Sequence, residues 1–176
     1  MAPNIRQSDS AFPDKKPPIM SKDALLLGID NGGTMAKAAL FTADGKELAV
    51  ASRKSRMLDT QPGWAEFDMH ATWDNTVGAI RELLETTGVD PQDIACVACT
   101  GHGNGLYLVD EHGTPVRNAI GSADSRAREY IDTWASDGTG ERIFPKNMQE
   151  IWPAQPNALL RWLGDHEPES IARARW

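Results

Sequence analysis

Residues 26–37 read Leu-Leu-Gly-Ile-Asp-Asn-Gly-Gly-Thr-Met-Ala-Lys. A short apolar run ends at Asp30, a turn of two glycines and Thr34 follows, and a second apolar run continues to Phe41. Because both flanks have the composition of strands, the stretch predicts a β-hairpin, not the strand-to-helix turn of a P-loop or a dinucleotide-binding fold. Glycine lets a backbone approach a phosphate closely, and the turn amides and the Thr34 hydroxyl can donate to its oxygens. Asp30 is suited to hold Mg²⁺. An ordinary hairpin with a glycine turn is the alternative.

The bulk composition fits one globular domain with a core of its own. Of the 176 residues, 40% are hydrophobic and 24% are charged, and the net charge is −7. This acidic balance argues against a nucleic-acid partner. No apolar run approaches the roughly 20 residues of a membrane span, and the N-terminus lacks the apolar core of a signal peptide. We therefore expect no membrane association.

The two cysteines, Cys96 and Cys99, have a spacing that also occurs in redox and metal sites. They lie in an apolar run that predicts a buried strand, and positions three apart on a strand point to opposite faces. No second pair of cysteines completes a zinc site. The sequence therefore predicts two separate, buried thiols in a reducing compartment.

The chain divides into a proline-containing leader, residues 1–22, which we expect to be disordered, and one domain over residues 23–176. Whether the protein starts at Met1 or Met20 stays open. The patterns predict strands at 25–30, 35–41, 47–53, 94–100 and 106–109, and helices at 71–87, 125–134, 157–164 and 170–176. The first three strands form an antiparallel meander, and the nearly all-apolar fourth is predicted to be a central parallel strand.

This order of elements predicts an α/β fold of the ribonuclease-H-like type, in which a mixed sheet has an antiparallel meander, then parallel strands, and flanking helices. Proteins of the actin and sugar-kinase superfamily combine two such half-domains and hold a nucleotide between them.

Four motifs, taken together and in order, resemble the N-terminal part of an FGGY-type carbohydrate kinase, from about residue 24 to the end. They are Gly28-Ile-Asp-Asn-Gly-Gly-Thr34 with Lys37, Pro62-Gly-Trp-Ala-Glu-Phe-Asp68, Thr100-Gly-His-Gly-Asn-Gly105 and Ala119-Ile-Gly-Ser-Ala-Asp-Ser-Arg126. The chain is most similar to the L-xylulose kinase branch, which shares the two glycines, the lysine and the glycine-rich loop. An acetate-kinase-like or hexokinase-like relationship is disfavoured because those groups lack the Trp-x-Glu loop.

The resemblance implies ATP and Mg²⁺ as cofactors and assigns the first motif to them. Asp30 would face the metal and the phosphates, and Gly32, Gly33 and Thr34 would line the nucleotide cleft together with Lys37. Gly33 stands where the family usually has a threonine, so one hydroxyl donor is lost. For Lys37 the alternative is a solvated lysine on a strand.

The resemblance also assigns sugar contacts to the loop after the fourth strand. Asn104 falls on the position that reaches the sugar, and an amide can both donate to and accept from vicinal hydroxyls. Gly103 leaves room there, so the pocket should be neutral and roomy. His102 replaces a glutamine of the family, and a purely structural histidine is the alternative.

The remaining predicted sugar contacts belong to the second and fourth motifs. Glu66 would accept from sugar hydroxyls, and a loop anchored by a buried Trp64 is the alternative for that segment. Asp124 and Arg126 open the next helix, where Asp124 could accept from a sugar hydroxyl. Helix capping by Asp124 and a surface position for Arg126 are the alternatives.

The family's catalytic base is an aspartate late in the first lobe, and no acidic residue before Trp176 has its sequence context. We therefore expect the base beyond Trp176, in a domain that stops before its end here, and an isolated chain that is inactive. The implied function is ATP-dependent phosphorylation of a ketopentose, L-xylulose first, with D-xylulose, L-ribulose and small polyols as rivals. The alternative is a non-catalytic sugar-binding half-domain.

The partners implied by this reading are the sugar and ATP, with no nucleic acid and no membrane. ATP use and the absence of a signal peptide predict a cytoplasmic location. The resemblance also allows a homodimer of the full-length enzyme.

Overall fold

The structure is a computed structural model that describes residues 24–176. The predicted leader, and the predicted start of order at residue 23, lie outside the described residues. The strands are β1 (Leu25–Asn31), β2 (Met35–Thr42), β3 (Glu47–Lys54), β4 (Met57–Leu58), β5 (Glu66–Phe67), β6 (Ile94–Gly101) and β7 (Ala119–Ile120). The helices are α1 (Met69–Thr87), α2 (Arg128–Ser136), α3 (Thr139–Asn147), α4 (Pro156–His166) and α5 (Pro168–Arg173).

The main sheet has the strand order β3-β2-β1-β6. Strands β1 and β2 form the predicted hairpin, in which Asn31 pairs with Ala36, and β2 pairs antiparallel with β3. Strand β6 runs parallel to β1. The predicted meander followed by a parallel strand is therefore confirmed in these residues.

Helix α1 covers one face of the meander. It begins after Asp68, whose Oδ1 accepts hydrogen bonds from the amides of His70 and Ala71 at 2.9 and 3.2 Å. It ends at Gly88, which takes the left-handed conformation that favours glycine (φ 67°). Between helix and sheet lies an apolar core whose buried members are Leu27, Ala38, Leu40, Ala51, Ala79 and Leu83.

Strand β6 lies at the edge of the sheet, which contradicts its predicted central position. Residues 95–101 are all exposed, and Val97 keeps 53% of its surface. Cys96 and Cys99 are exposed as well, so the prediction of buried thiols was wrong. An apolar run shows that a strand can be buried on both faces, but it does not show whether another element covers the strand. No element of residues 24–176 covers β6.

A second core lies beyond the sheet, where the small sheet β4-β5-β7 meets the C-terminal helices. Its buried members are Leu108, Val116, Ile120, Ala127, Ile131, Ala158, Leu159, Trp162 and Leu163. The predicted strand at 106–109 was wrong, because Leu106 and Val109 make only isolated bridges, to Ile120 and Pro115. Helix α3 was not predicted, since it carries Pro145 and has no buried residue.

All four predicted helices are present with adjusted bounds. Helix α1 begins at Met69 instead of residue 71, and α4 spans Pro156–His166 instead of 157–164. The helix predicted from residue 125 begins at Arg128, and the C-terminal helix ends at Arg173 rather than at the last residue. No helix of residues 24–176 has the length and apolar composition needed to cross a membrane.

We expect Leu83→Ala to lower the free energy of unfolding by about 2–5 kcal/mol, because the substitution leaves a cavity between α1 and the sheet. Leu83 is fully buried there. Leu160→Ala is the matched control. Leu160 is 42% exposed, so this substitution should lower the free energy of unfolding much less. Urea unfolding of both variants measures the difference, and equal losses would contradict the described core.

We expect a thiol reagent added to the folded chain to react rapidly with both cysteines, because both are exposed on β6. Colorimetric titration without denaturant should count two thiols. The rates should differ little from those in denaturant; strong protection of either thiol would mean that β6 is covered.

Candidate functional site

The glycine turn between β1 and β2 is partly closed by its own backbone. The Gly32 amide donates to the Met35 carbonyl at 3.0 Å, and a Cβ at Gly32 would stand 3.1 Å from that oxygen. Ser55 braces the turn, because its amide donates to the Thr34 carbonyl at 2.9 Å. The amides of Gly33 and Thr34 donate to no group within residues 24–176. Within residues 24–176 the predicted donor amide of Gly33 is therefore free to meet an anion, as is that of Thr34, whereas the predicted donor amide of Gly32 is not.

Asp30 and Lys37 lie side by side on the sheet. They are partners in the β1–β2 pairing, and Thr100 lies beside Asp30 on β6. The three line a groove of about 540 Å³. Asp30 Oδ1 lies 3.9 Å from where a Cβ on Gly32 would stand, so the carboxylate is next to the turn.

A single carboxylate beside a phosphate-type turn fits Mg²⁺, which usually takes one or two carboxylates and fills its other positions with phosphate oxygens and water. Asp30 is the residue that would hold it. Residues 24–176 contain no group of three or more His, Cys, Asp or Glu side chains arranged around a common metal position.

A small cavity of about 180 Å³ adjoins the other side of the turn. Gly33 and Thr34 form one wall, and His102 of the loop after β6 forms another. The remaining lining residues are Met57, Ala65, Phe67, Ser122 and Ala123. None of the lining residues, all within 24–176, has a charged side chain, and Thr34 and Ser122 bring hydroxyls to the cavity. Ser122 and the small residues beside it were missed in the sequence, although they stand inside the fourth motif, because serine and alanine carry little chemical signal alone.

His102 is held from both sides of its ring. Its Nδ1 lies 3.4 Å from the Asn31 carbonyl oxygen, and its Nε2 lies 2.6 Å from the Tyr107 hydroxyl. The ring centroid is 5.7 Å from that of Phe67. The structure thus brings His102 to the cavity wall with both nitrogens already in contact with protein groups.

Gly103 and Asn104 follow in an exposed part of the same loop. Asn104 has a positive φ of 64°, and a Cβ at Gly103 would meet nothing within 4 Å. The structure does not place either residue in the wall of the cavity. A sugar contact through Asn104 stays a prediction.

Glu66 lies in a buried cluster of charges behind the cavity. It is 5% exposed, and its Oε1 accepts hydrogen bonds from Arg117 and, at 2.8 Å, from Arg126. Its Oε2 accepts from the Asn118 amide at 3.2 Å. Arg117 also pairs with Glu167 at 2.8 Å. Arg117 was missed in the sequence, because it is 51 residues from Glu66.

Arg126 is at the centre of this cluster. Its side chain is fully buried, so the predicted surface alternative was wrong. Its Nε and Nη2 both donate to Asp124 at 2.9 Å, and its guanidinium stacks 3.8 Å from the ring centroid of Trp64. Trp64 also meets Trp162 edge to face at 5.4 Å, which agrees with the alternative of an anchored loop.

Asp124 ties this cluster to the wall of the cavity. Its Oδ2 accepts from the Ala65 amide at 2.7 Å. It does not cap α2, because the N-cap is Ala127 and makes no side-chain cap bond. The hydrogen bonds of Glu66, Asp124 and Arg126 thus hold the loop that carries Ala65, and a direct sugar contact by any of the three stays a prediction.

Comparison with known proteins identifies the family. Residues 25–176 match the N-terminal domain of the FGGY family of carbohydrate kinases. The L-xylulose/3-keto-L-gulonate kinase of Escherichia coli K12 is 41% identical over 147 residues, which cover 84% of this chain and 30% of that protein. A probable L-xylulose kinase of Pasteurella multocida Pm70 is 37% identical over 147 residues, with the same coverage.

The same relationship is seen in structure. The crystal structure of a xylulose kinase from Rhodospirillum rubrum superposes with a TM-score of 0.77 at 27% identity, covering 85% of this chain and 31% of that one. The α/β fold with a mixed sheet is therefore that of the sugar kinases. The chain spans about 30% of the length of the curated relatives it matches.

We expect Arg126→Met to lower the free energy of unfolding by about 3–5 kcal/mol, because it leaves the buried carboxylate of Asp124 without its cationic partner and removes one of the two arginine partners of Glu66. Arg161→Met is the matched control. Arg161 pairs with Asp165 at the surface, where such a pair contributes less than about 1 kcal/mol. Denaturant unfolding gives both values, and similar losses would show that the cluster is not buried as described.

Proposed function

The chain belongs to the FGGY family of carbohydrate kinases, and from this premise we propose that it is the N-terminal part of an ATP-dependent kinase for a neutral ketopentose or related polyol. The observation that carries the proposal is the adjacency of two features. A turn in which the amides of Gly33 and Thr34 donate to no group of residues 24–176 forms one wall of a small cavity, and no charged side chain of these residues lines that cavity. Phosphoryl transfer requires such closeness of phosphate and acceptor hydroxyl.

The nucleotide side of the proposal rests on the hairpin. The free amides of Gly33 and Thr34 suit phosphate oxygens, and backbone amides in such turns form anion sites. Asp30 would hold Mg²⁺, which neutralises phosphate charge when it is bound. Lys37, exposed beside Asp30, would add a positive charge to the same groove.

The acceptor side rests on the cavity of about 180 Å³. Hydroxyls of Thr34 and Ser122 can donate to and accept from those of a sugar. Because no cationic side chain among the described residues lines the cavity, a neutral sugar should be preferred to a sugar acid. L-Xylulose is therefore our first choice of acceptor, with D-xylulose, L-ribulose and small polyols as rivals. Asn104, two residues after His102, would reach the sugar from the exposed loop.

The catalytic step needs a base for the sugar hydroxyl. Among residues 24–176, those that line the cavity include no carboxylate. We therefore propose that this chain binds sugar and nucleotide but does not transfer phosphate by itself. The same observation favours the second candidate function, a non-catalytic sugar-binding half-domain. A cytoplasmic location, where ATP is available, belongs to the proposal.

The test combines an assay with a titration. In the assay, the chain is incubated with Mg-ATP and a panel of ketopentoses and polyols, and sugar phosphate is read by mass. We expect no product, and any product would overturn the proposed inactivity of the chain. In the titration, amide NMR spectra are followed as L-xylulose or Mg-ADP is added. L-Xylulose should shift signals around Ser122, and Mg-ADP should shift those of Gly33 and Thr34.

We expect Ser122→Leu to weaken binding of L-xylulose about tenfold or more, or about 1.4 kcal/mol, because leucine fills the cavity. The shifts caused by Mg-ADP should persist, since the turn is unchanged. Ser136→Leu is the matched control, because Ser136 is exposed on α2. If Ser122→Leu bound the sugar as well as Ser136→Leu, the cavity would not be the acceptor site.

A further inference from the structure

His102 joins two parts of the candidate site that are distant in sequence. Its backbone amide and its Nδ1 both lie 3.4 Å from the carbonyl oxygen of Asn31, the last residue of β1. Its Nε2 lies 2.6 Å from the hydroxyl of Tyr107, farther along its own loop. The ring therefore connects the strand end before the glycine turn with the loop after β6.

These contacts favour one tautomer of His102. A carbonyl oxygen can only accept, so the contact with Asn31 is a hydrogen bond when Nδ1 carries the proton. In a neutral imidazole Nε2 is then without a proton and accepts from the Tyr107 hydroxyl. Partial burial raises the pKa of Tyr107, so its hydroxyl stays protonated and can donate a hydrogen bond to Nε2.

The ring also stands between two cavities. On one side is the cavity lined by Gly33 and Thr34, and on the other is a second cavity of about 170 Å³, lined by Asn31 and Gly32. His102 lines both. A ring fixed at this place sets the distance between the glycine turn and the loop that faces it.

We propose that His102 is a positioning residue that holds the glycine turn against the acceptor cavity through its Nδ1–H tautomer, which the Asn31 carbonyl requires and the Tyr107 hydroxyl stabilises by donating to Nε2. Its part in phosphotransfer rests on the proposed function. The tautomer and the link, however, exist in the unliganded chain and can be measured without any reaction.

The experiment is ¹H–¹⁵N NMR of the histidine rings in the 176-residue chain, at about pH 8, above the ordinary histidine pKa of about 6.5. The chain has four histidines, and the signals lost in His102→Gln assign His102. We expect His102 to be the Nδ1–H tautomer. In Tyr107→Phe the share of that tautomer should fall, and the amide signals of Gly32, Gly33 and Thr34 should shift.

Tyr130→Phe is the matched control, because the Tyr130 hydroxyl also approaches a histidine, 3.4 Å from His166 Nε2, far from this site in the chain. It should leave the His102 tautomer and the turn amides unchanged. An Nε2–H tautomer in the unsubstituted chain would overturn the proposal. So would a tautomer share that is the same in Tyr107→Phe and in Tyr130→Phe.

A conservative replacement separates positioning from packing. Glutamine has one donor and one acceptor group and can keep both contacts, whereas leucine keeps only bulk. His102→Gln should hold the turn amides near their original shifts, and His102→Leu should displace them. Equal displacement would overturn the proposal, and Tyr107→Phe remains decisive if His102→Leu does not fold. A normal tautomer with no response to L-xylulose would reject the proposed function and support the link alone.

Discussion

The fully buried guanidinium of Arg126 lies between the carboxylates of Glu66 and Asp124, with the Trp64 ring against its face. A charge removed from water requires partners in fixed places, so the segments that supply them are fixed as well. One of these segments carries Ala65, and the other carries Ser122 and Ala123, which all line the small cavity. The shape of the candidate acceptor site therefore depends on an ion cluster that contributes no atom to the wall of the cavity.

The other wall has a different kind of support. The glycine turn follows directly from two paired strands, and its position is that of β1 and β2 with the packed core beneath them. Backbone hydrogen bonds from Gly32 and Ser55 fix its conformation. The cavity thus lies between a wall set by charge pairing and a wall set by sheet pairing. His102, bonded to Asn31 and packed near Phe67, is where the two meet.

The hairpin, the meander and α1 could be predicted from the sequence because each has a local signal, the two-residue and 3.6-residue periods of apolar side chains and the glycine that ends the helix. The exposure of β6 could not, because burial depends on which elements lie over a strand, and the apolar run at 94–100 does not contain that information. The motifs singled out Glu66, Asp124 and Arg126 as sugar contacts, and that role stays a prediction. They could not show that these charges satisfy one another, since Glu66 and Arg126 are 60 residues apart.

The two adjacent glycines of the turn differ in how much space each leaves for a side chain. Any side chain at position 32 would meet the Met35 carbonyl, whereas a Cβ at position 33 would stand 4.0 Å from both His102 and Phe67, in ordinary contact. Residue 33 can therefore vary in size without disturbing the backbone, and each added atom would occupy space inside the cavity. A lineage carrying this domain could therefore narrow its choice of small molecule by single substitutions at one codon, while a side chain at the neighbouring position would crowd the backbone.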